Sequence, residues 1–231
     1  MKTRAKIIIT GAAILFLAGT GCEDMKDTYY DFVKDGETVY VVKAESITTR
    51  GGKERMELSW LLFTDPNVSR YQVSWNNERE SVEGAVQKTE NVDTVTVMFP
   101  FLEEGTYQFD VIMYDKYGNS SVKTSAIGRS YGKRFQESLL DRAYRKIERK
   151  GDAVEIEWTP VSEEMTEMVE VEYEYTDKAN NLIRDVLPGS ETISTLADFP
   201  AGGSFRYRTG IMPEIDAIDT FYTEYQTMIL D

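Results

Sequence analysis

The sequence predicts an all-β protein built as two β-sandwiches in tandem, and three observations carry that expectation. Apolar and polar residues alternate at period two along many short segments, as half-buried antiparallel strands require. Clusters of turn formers, Asp65-Pro66-Asn67, Glu103-Glu104-Gly105 and Lys116-Tyr117-Gly118-Asn119, separate those segments. One strand pattern is also written twice. Gly52-Lys53-Glu54-Arg55-Met56-Glu57-Leu58-Ser59-Trp60 reads like Lys150-Gly151-Asp152-Ala153-Val154-Glu155-Ile156-Glu157-Trp158, the tryptophans lying 98 residues apart (158 − 60). The same offset carries Tyr71, Val73 and Trp75 onto Val169, Val171 and Tyr173, and Thr106, Tyr107 and Phe109 onto Ser204, Phe205 and Tyr207. Three blocks sharing one spacing make two copies of one domain the simplest account.

Taken in order, the chain opens with Lys2, Arg4 and Lys6, then an apolar run over 7–18 that is too short for a permanent span. Gly19, Thr20 and Gly21 supply the small residues a signal peptidase needs, and Cys22 is the single cysteine. This arrangement resembles a bacterial lipoprotein signal. Gly19 stands where the strict motif has Leu, and the looser motif of Bacteroidota lipoproteins accommodates it. The resemblance implies removal of residues 1–21 and diacylation of Cys22, which becomes the new N-terminus and holds the protein to the membrane. Each buried methylene is worth about 0.8 kcal/mol, so two or three acyl chains anchor stably where one does not. Glu23 and Asp24 follow directly and resemble the surface-export signal of the same lipoproteins. The expected location is the outer membrane, with the chain displayed at the cell surface. Residues 22–36 form a tether carrying Tyr29, Tyr30 and Phe32, with weak helical periodicity from Met25 to Lys34.

Composition narrows the chemistry. The 41% hydrophobic and 12% aromatic fractions suffice for ordinary cores. With 40 acidic against 26 basic residues the net charge is −14, and a surface of that sign argues against nucleic acid and phosphate-rich ligands. There is no histidine, which excludes Ser-His-Asp and Cys-His catalysis and any His-ligated metal. By the lipoprotein resemblance the lone thiol is consumed by lipid. Carboxylates, hydroxyls, amines and amides remain, and no cofactor or metal is expected.

Copy one, over 37–129, then shows its strands. Met56, Leu58 and Trp60 face inward against Glu57 and Ser59, and Tyr107, Phe109, Val111 and Met113 form a long later strand. A Leu-x-Trp second strand, a Tyr71-x-Val73-x-Trp75 third strand and Leu102-x-x-Gly105-Thr106-Tyr107 entering a sixth resemble the fibronectin type III (immunoglobulin-like) sandwich. That resemblance puts Tyr107 at the tyrosine corner, where its hydroxyl ties the strand to the preceding loop. Residues 128–140 join the copies, with Gly128 and Gly132 beside Phe135, Leu139 and Leu140, and leave open a hinge or a docked interface. Helical periodicity there runs weakly from Arg134 to Arg142. Copy two, over 130–231, repeats the plan with Val154, Ile156 and Trp158 inward. It departs in having Phe205 for the tyrosine and a longer, more acidic last loop over 213–219.

The whole chain also resembles a Bacteroidota lipoprotein family, domain of unknown function 4998. The marks are Tyr30-Asp31-Phe32, Gly36-Glu37-x-x-Tyr40, Gly52-Lys53 before the Leu-x-Trp strand, and Ser130-Tyr131-Gly132. Members are similar to accessory lipoproteins encoded beside glycan-uptake systems, so the resemblance implies a glycan or an outer-membrane transport protein as partner.

Candidate chemistry is sparse. Glu170, Glu172 and Glu174 alternate along one strand. A glycosidase needs two carboxyls about 5–10 Å apart across a cleft, one with a raised pKa, and acids on one outer face do not make that. Arg206 and Arg208 stand in outward phase on the neighbouring strand, predicting an exposed cross-strand ladder worth about 0.2–1 kcal/mol per pair. Asp115 and Asn119 offer calcium ligands without an EF-hand loop, and Glu214, Asp216 and Asp219 form a second acidic loop with no motif. Exposed aromatics are better ligand contacts, since sugars stack on rings and sandwich loops cluster at one end. The candidates are Tyr114, out of phase with its strand's inward residues, Tyr117 in the following turn, and Phe63 beyond Trp60. Trp60, Trp158 and Trp75 belong to cores.

The sequence thus points to a non-enzymatic, surface-anchored accessory lipoprotein that presents or contacts a glycan or a transport protein. A structural or adhesive spacer making protein–protein contacts is the alternative, and a carboxylate-dependent glycoside hydrolase ranks third. A glycan binder requires solvent-facing aromatics converging on one loop end; a spacer does not.

Overall fold

Alternation at period two becomes fifteen strands in a computed structural model, which describes residues 41–63, 65–87, 89, 91–161 and 168–230. The expected signal peptide over 1–21, Cys22, Glu23, Asp24 and the aromatics Tyr29, Tyr30 and Phe32 lie outside the described residues. The first sandwich comprises β1 (Glu45–Gly52), β2 (Arg55–Leu62), β3 (Val68–Trp75), β4 (Glu80–Ala85), β5 (Asp93–Phe99), β6 (Gly105–Asp115) and β7 (Thr124–Ser130). Its sheets run β1-β2-β5 and β4-β3-β6-β7, antiparallel throughout. After helix α1 (Lys133–Ser138) come β8 (Tyr144–Lys150), β9 (Ala153–Trp158), β10 (Met168–Thr176), β11 (Leu182–Pro188), β12 (Ile193–Leu196) and β13 (Ser204–Ile211), then β14 (Phe221–Tyr222) and β15 (Gln226–Ile229). Here the sheets are β12-β9-β8 and β11-β10-β13, with β14 and β15 pairing two different stretches of β13. Both sandwiches have the strand order of the fibronectin type III arrangement.

The duplication holds at the level of register. Val73 lies opposite Val111 in the first sandwich and Val171 opposite Thr209 in the second, each displaced by the same offset as the tryptophans. Thr48 pairs with Ser59 as Lys146 pairs with Glu157. A one-residue slip would turn every inward side chain outward, so matched register means matched cores.

Each sandwich closes around its own indole. Trp60 is 1% exposed and meets Tyr71 edge-on at 5.1 Å; Trp158 is fully buried and meets Tyr207 edge-on at 5.1 Å. Trp158 Nε1 donates to Ser194 Oγ at 2.9 Å, whereas Trp60 Nε1 has no acceptor. Trp75 packs on the first core against Phe99 and Phe109. Tyr107 makes the expected corner, its hydroxyl donating to the Glu103 carbonyl at 3.0 Å. Phe205, its counterpart, is 1% exposed and has no hydroxyl to give. In the second sandwich the turn closes through Gly203 N–H on the Pro200 carbonyl, over a fully buried Phe199.

The linker helix is shorter than the 134–142 periodicity suggests, six residues ending where Leu139 turns extended. So short a helix satisfies few of its own donors, and the first turn borrows an acceptor. The Glu104 carboxylate, from the β5–β6 turn, takes the N–H groups of Arg134 (2.8 Å) and Phe135 (3.0 Å). That contact fixes the linker onto the first sandwich.

Candidate functional site

The three aromatics singled out by sequence fall in two settings. Tyr114 lies on the outer face of the four-stranded sheet, where the Arg70 guanidinium covers its ring at 3.8 Å and its hydroxyl donates to Gln72 Oε1 at 3.0 Å. Phe63 and Tyr117 are exposed on neighbouring loops joined by Lys116 N–H on the Asn67 carbonyl at 3.1 Å. At the same pole Val42 N–H reaches Asp65 Oδ2 at 3.5 Å.

Asp115 is spent on its turn. Its Oδ1 accepts the N–H groups of Tyr117 and Asn119 at 2.8 and 2.9 Å, and Oδ2 accepts Asn119 Nδ2 at 2.7 Å, around Gly118 at φ +94°. Asp177 and Asn181 repeat this construction around Asn180 at φ +65°. Among the described residues no group of three or more carboxylate or thiol side chains is placed to hold a metal ion.

The acidic strand does form a ladder, with two corrections. Arg208 Nε donates to Glu172 and Arg206 Nε to Glu174, both at 2.6 Å, in direct register. Glu170 instead lies opposite Gly210 and accepts from Tyr222 Oη at 2.5 Å, because β13 offers no third arginine there. Glu174 is not exposed: it is buried, with Arg184 of β11 on its other oxygen at 3.1 Å. The hydrogen bond from Arg206 holds its carboxyl below the usual range against the opposing effect of burial, and Arg184 adds to it. Tyr222 and Tyr225 stack on the guanidiniums of Arg208 and Arg206 at 4.1 and 4.4 Å, closing a face of alternating charge and ring. Each of these three carboxylates has a cationic or phenolic partner. Glu172→Gln should leave the fold intact and cost about 1 kcal/mol, while Glu174→Gln, which leaves two guanidiniums facing a neutral amide, should cost about twice that. Urea denaturation of both variants checks the order.

The richest constellation is one the sequence did not locate, the junction of the two sandwiches. The β13–β14 loop, read above as an acidic turn without a motif, reaches the β1–β2 turn. Asp219 takes Arg55 through two parallel hydrogen bonds, Nε at 2.8 Å and Nη2 at 2.5 Å, and also accepts Lys53 N–H at 2.7 Å. These bonds, the Arg55 pair first, hold the Asp219 carboxyl below the usual carboxylate range. Ile218 N–H donates to the Gly51 carbonyl, and Arg50 Nε to the Asp216 carbonyl. Tyr131 Oη donates to Glu214 at 2.7 Å; burial first, then that carboxylate, raises the phenol's pKa. Beneath these bonds Tyr131, Phe135 and Phe221 meet edge-to-face at 4.9 and 5.1 Å. The approach requires Gly52: a Cβ there would lie 2.4 Å from both Asp219 Oδ2 and Ile218 Cγ1. The open choice between hinge and interface is therefore decided for an interface. Gly52-Lys53 and Ser130-Tyr131-Gly132 meet in it, Tyr131 N–H on the Gly52 carbonyl at 3.0 Å and Glu54 N–H on the Tyr131 carbonyl at 2.7 Å.

A family model described as a domain of unknown function matches residues 22–221. Among solved structures the chain is similar to the FN1–FN3 domains of chicken CNTN1, at 12% identity and TM-score 0.40, covering 84% of this chain and 69% of that one. It is also similar to a two fibronectin type III domain segment of chicken tenascin, at 13% identity and TM-score 0.32, covering 82% of this chain and 99% of that one. No curated protein matches.

Proposed function

The chain belongs to the family of unknown function that it matches over residues 22–221, and from that premise we propose a non-catalytic, lipid-anchored strut. In this reading Cys22 carries the lipid, the outer membrane displays the chain at the cell surface, and two sandwiches joined as one body hold a protein-binding face away from the bilayer. The partner is an outer-membrane transport protein of a glycan-uptake system, the class of partner that the family resemblance implies. The junction carries this reading. Interfaces between domains of one chain are mobile by default unless they are extensive, and this one combines a two-pronged ion pair, backbone hydrogen bonds and three rings. A flexible string of modules has no use for it.

Direct glycan capture is the less favoured form of the same role. Tyr114 is covered by Arg70, and Phe63 and Tyr117 lie on loops near the Val42–Asp65 contact, with no further aromatic shown beside them. Absence of histidine and the pairing of the ladder carboxylates support a role without catalysis.

Four measurements test the proposal. Cys22→Ala should move the protein from the membrane pellet to the soluble fraction, and protease added to intact cells should degrade the parent protein. A spin label on an introduced cysteine in each sandwich should give one narrow distance distribution, since Cys22 is lipidated and silent. A broad distribution in the parent protein rules out the strut. Polysaccharide binding lost on Tyr117→Ala would return the reading to glycan capture.

A further inference from the structure

A sheet edge leaves a row of backbone donors and acceptors unpaired, and monomeric proteins guard such edges with charge, short length, proline or cover. Most edges of this protein are guarded in one of these ways. β1 and β7 cover each other, Thr49 Oγ1 donating to the Ile127 carbonyl at 3.1 Å and Tyr131 N–H to the Gly52 carbonyl at 3.0 Å. β4 carries Glu80 and Glu83, and five of the seven residues of β8 are charged. On β11 the Asp185 carboxylate takes the Val186 N–H at 2.8 Å, and Pro188 has no N–H to offer. β12, β14 and β15 are four, two and four residues long.

β5 has none of these devices. It runs for seven residues, pairs with β2 alone among the described strands, and keeps unbroken register from Asp93 opposite Leu62 to Phe99 opposite Met56. Residues 94–99, Thr-Val-Thr-Val-Met-Phe, hold no charge, proline or glycine. On a chain of net charge −14, two copies can share this stretch without bringing like charges into register.

The strand is also complementary to itself. Antiparallel pairing about Thr96, its midpoint, sets Thr96 opposite Thr96, Val95 opposite Val97 and Thr94 opposite Met98. The inward valines then continue one core face, and the exposed Thr94, Thr96 and Met98 line the other. Past the strand ends, the same register sets Val92, 49% exposed, opposite Pro100 and beside Phe101, 93% exposed. A twofold axis repeats that apolar contact at both ends, so a second copy covers both residues twice.

We propose that β5 pairs antiparallel with β5 of a second copy, forming one continuous sheet β1-β2-β5-β5-β2-β1 through a twofold contact. No residue of the junction lies on β5, and the test uses the full chain with Cys22→Ala, so neither the strut, the lipid nor a membrane partner enters the result.

Directly opposite residues of an antiparallel pair have Cα atoms about 4.5–5.5 Å apart, within disulfide reach. The two copies of Thr94, or of Met98, would lie about 14 Å apart, out of reach. On the Cys22→Ala chain, Thr96→Cys treated with diamide should therefore give a disulfide-linked dimer on a non-reducing gel. Thr94→Cys and Met98→Cys should each stay unlinked alone and should link when mixed. Thr96→Lys, at an exposed position, sets two ammonium groups opposite each other. It should weaken self-association about tenfold in sedimentation equilibrium, with the circular dichroism spectrum unchanged. A Cys22→Ala chain that is monomeric at every concentration, equal linking at all three positions, or Thr96→Lys associating as its parent does each overturn the pairing. So does Thr96→Cys linking in cells to a different protein in place of its own copy, which would give the edge to a foreign strand.

Discussion

Asp219→Ala is expected to uncouple the sandwiches. The substitution removes three hydrogen bonds at once, two from Arg55 and one from Lys53 N–H. Arg55 is 42% exposed and Asp219 21%, so solvent screens the pair, and a loss of about 2 kcal/mol of coupling is the reasonable magnitude. The parent protein should unfold in one transition and the variant in two, with fluorescence of Trp60 and Trp75 reporting the first sandwich and Trp158 the second. The label-to-label distance distribution should broaden in step. Gly52→Ala should reproduce the effect from the other side, by driving a methyl into Asp219 and Ile218. One unchanged transition in both variants would show that the junction does not couple the modules. The pH dependence has a definite sign. Asp219 is depressed in the folded protein, so its contribution is complete above the unfolded carboxylate pKa near ~3.9 and fades as pH falls through the lower folded value. Acid should therefore loosen the junction below about pH 4, and Asp219→Ala should flatten that dependence.

The two core tryptophans should not be equivalent. Truncating either to Ala costs about 3–5 kcal/mol by cavity formation and lost transfer energy. Replacement by Phe separates them. Trp158→Phe leaves Ser194, 1% exposed, without the indole donor, whereas Trp60→Phe removes an N–H that has no acceptor. Trp158→Phe should be the more damaging by about 1–2 kcal/mol. Denaturant midpoints of the two variants, followed by circular dichroism, check the order; equal costs would mean that the Ser194 bond contributes nothing.

Much of this architecture is legible in the sequence because sandwich strands are periodic. Trp60 and Trp158 announce their cores through an alternation local to each strand, and the repeat fixes the same register in both copies. Tyr107 is legible because its corner spans four residues. The ladder is half legible: Arg206 and Arg208 follow from strand phase, but Arg184 is on a strand whose register no pattern sets, and Tyr222 arrives from beyond a long loop. The junction was not legible. Asp219 finds Arg55 across 164 residues, and nothing in either local pattern says which acid meets which base. Two weak signals existed. Gly51 and Gly52 interrupt a strand where side chains are expected, and the 213–219 loop carries three acids where the loop over 116–123 in copy one carries none. Arg142 gave no signal, since a charged residue before a strand reads as solvent-facing.

The joint has a donor side and an acceptor side, and they are not interchangeable. Ala153 stands in copy two where Arg55 stands in copy one, and Lys150 where Gly52 does, so copy two lacks both the guanidinium and the bare backbone that receive a carboxylate. Conversely, the loop over 116–123 in copy one contains no acid to offer upstream. Concatenation through this contact is self-terminating: a third module fused at either end would find no socket and would swing freely. The contact thereby joins two unlike partners and does not propagate between like ones.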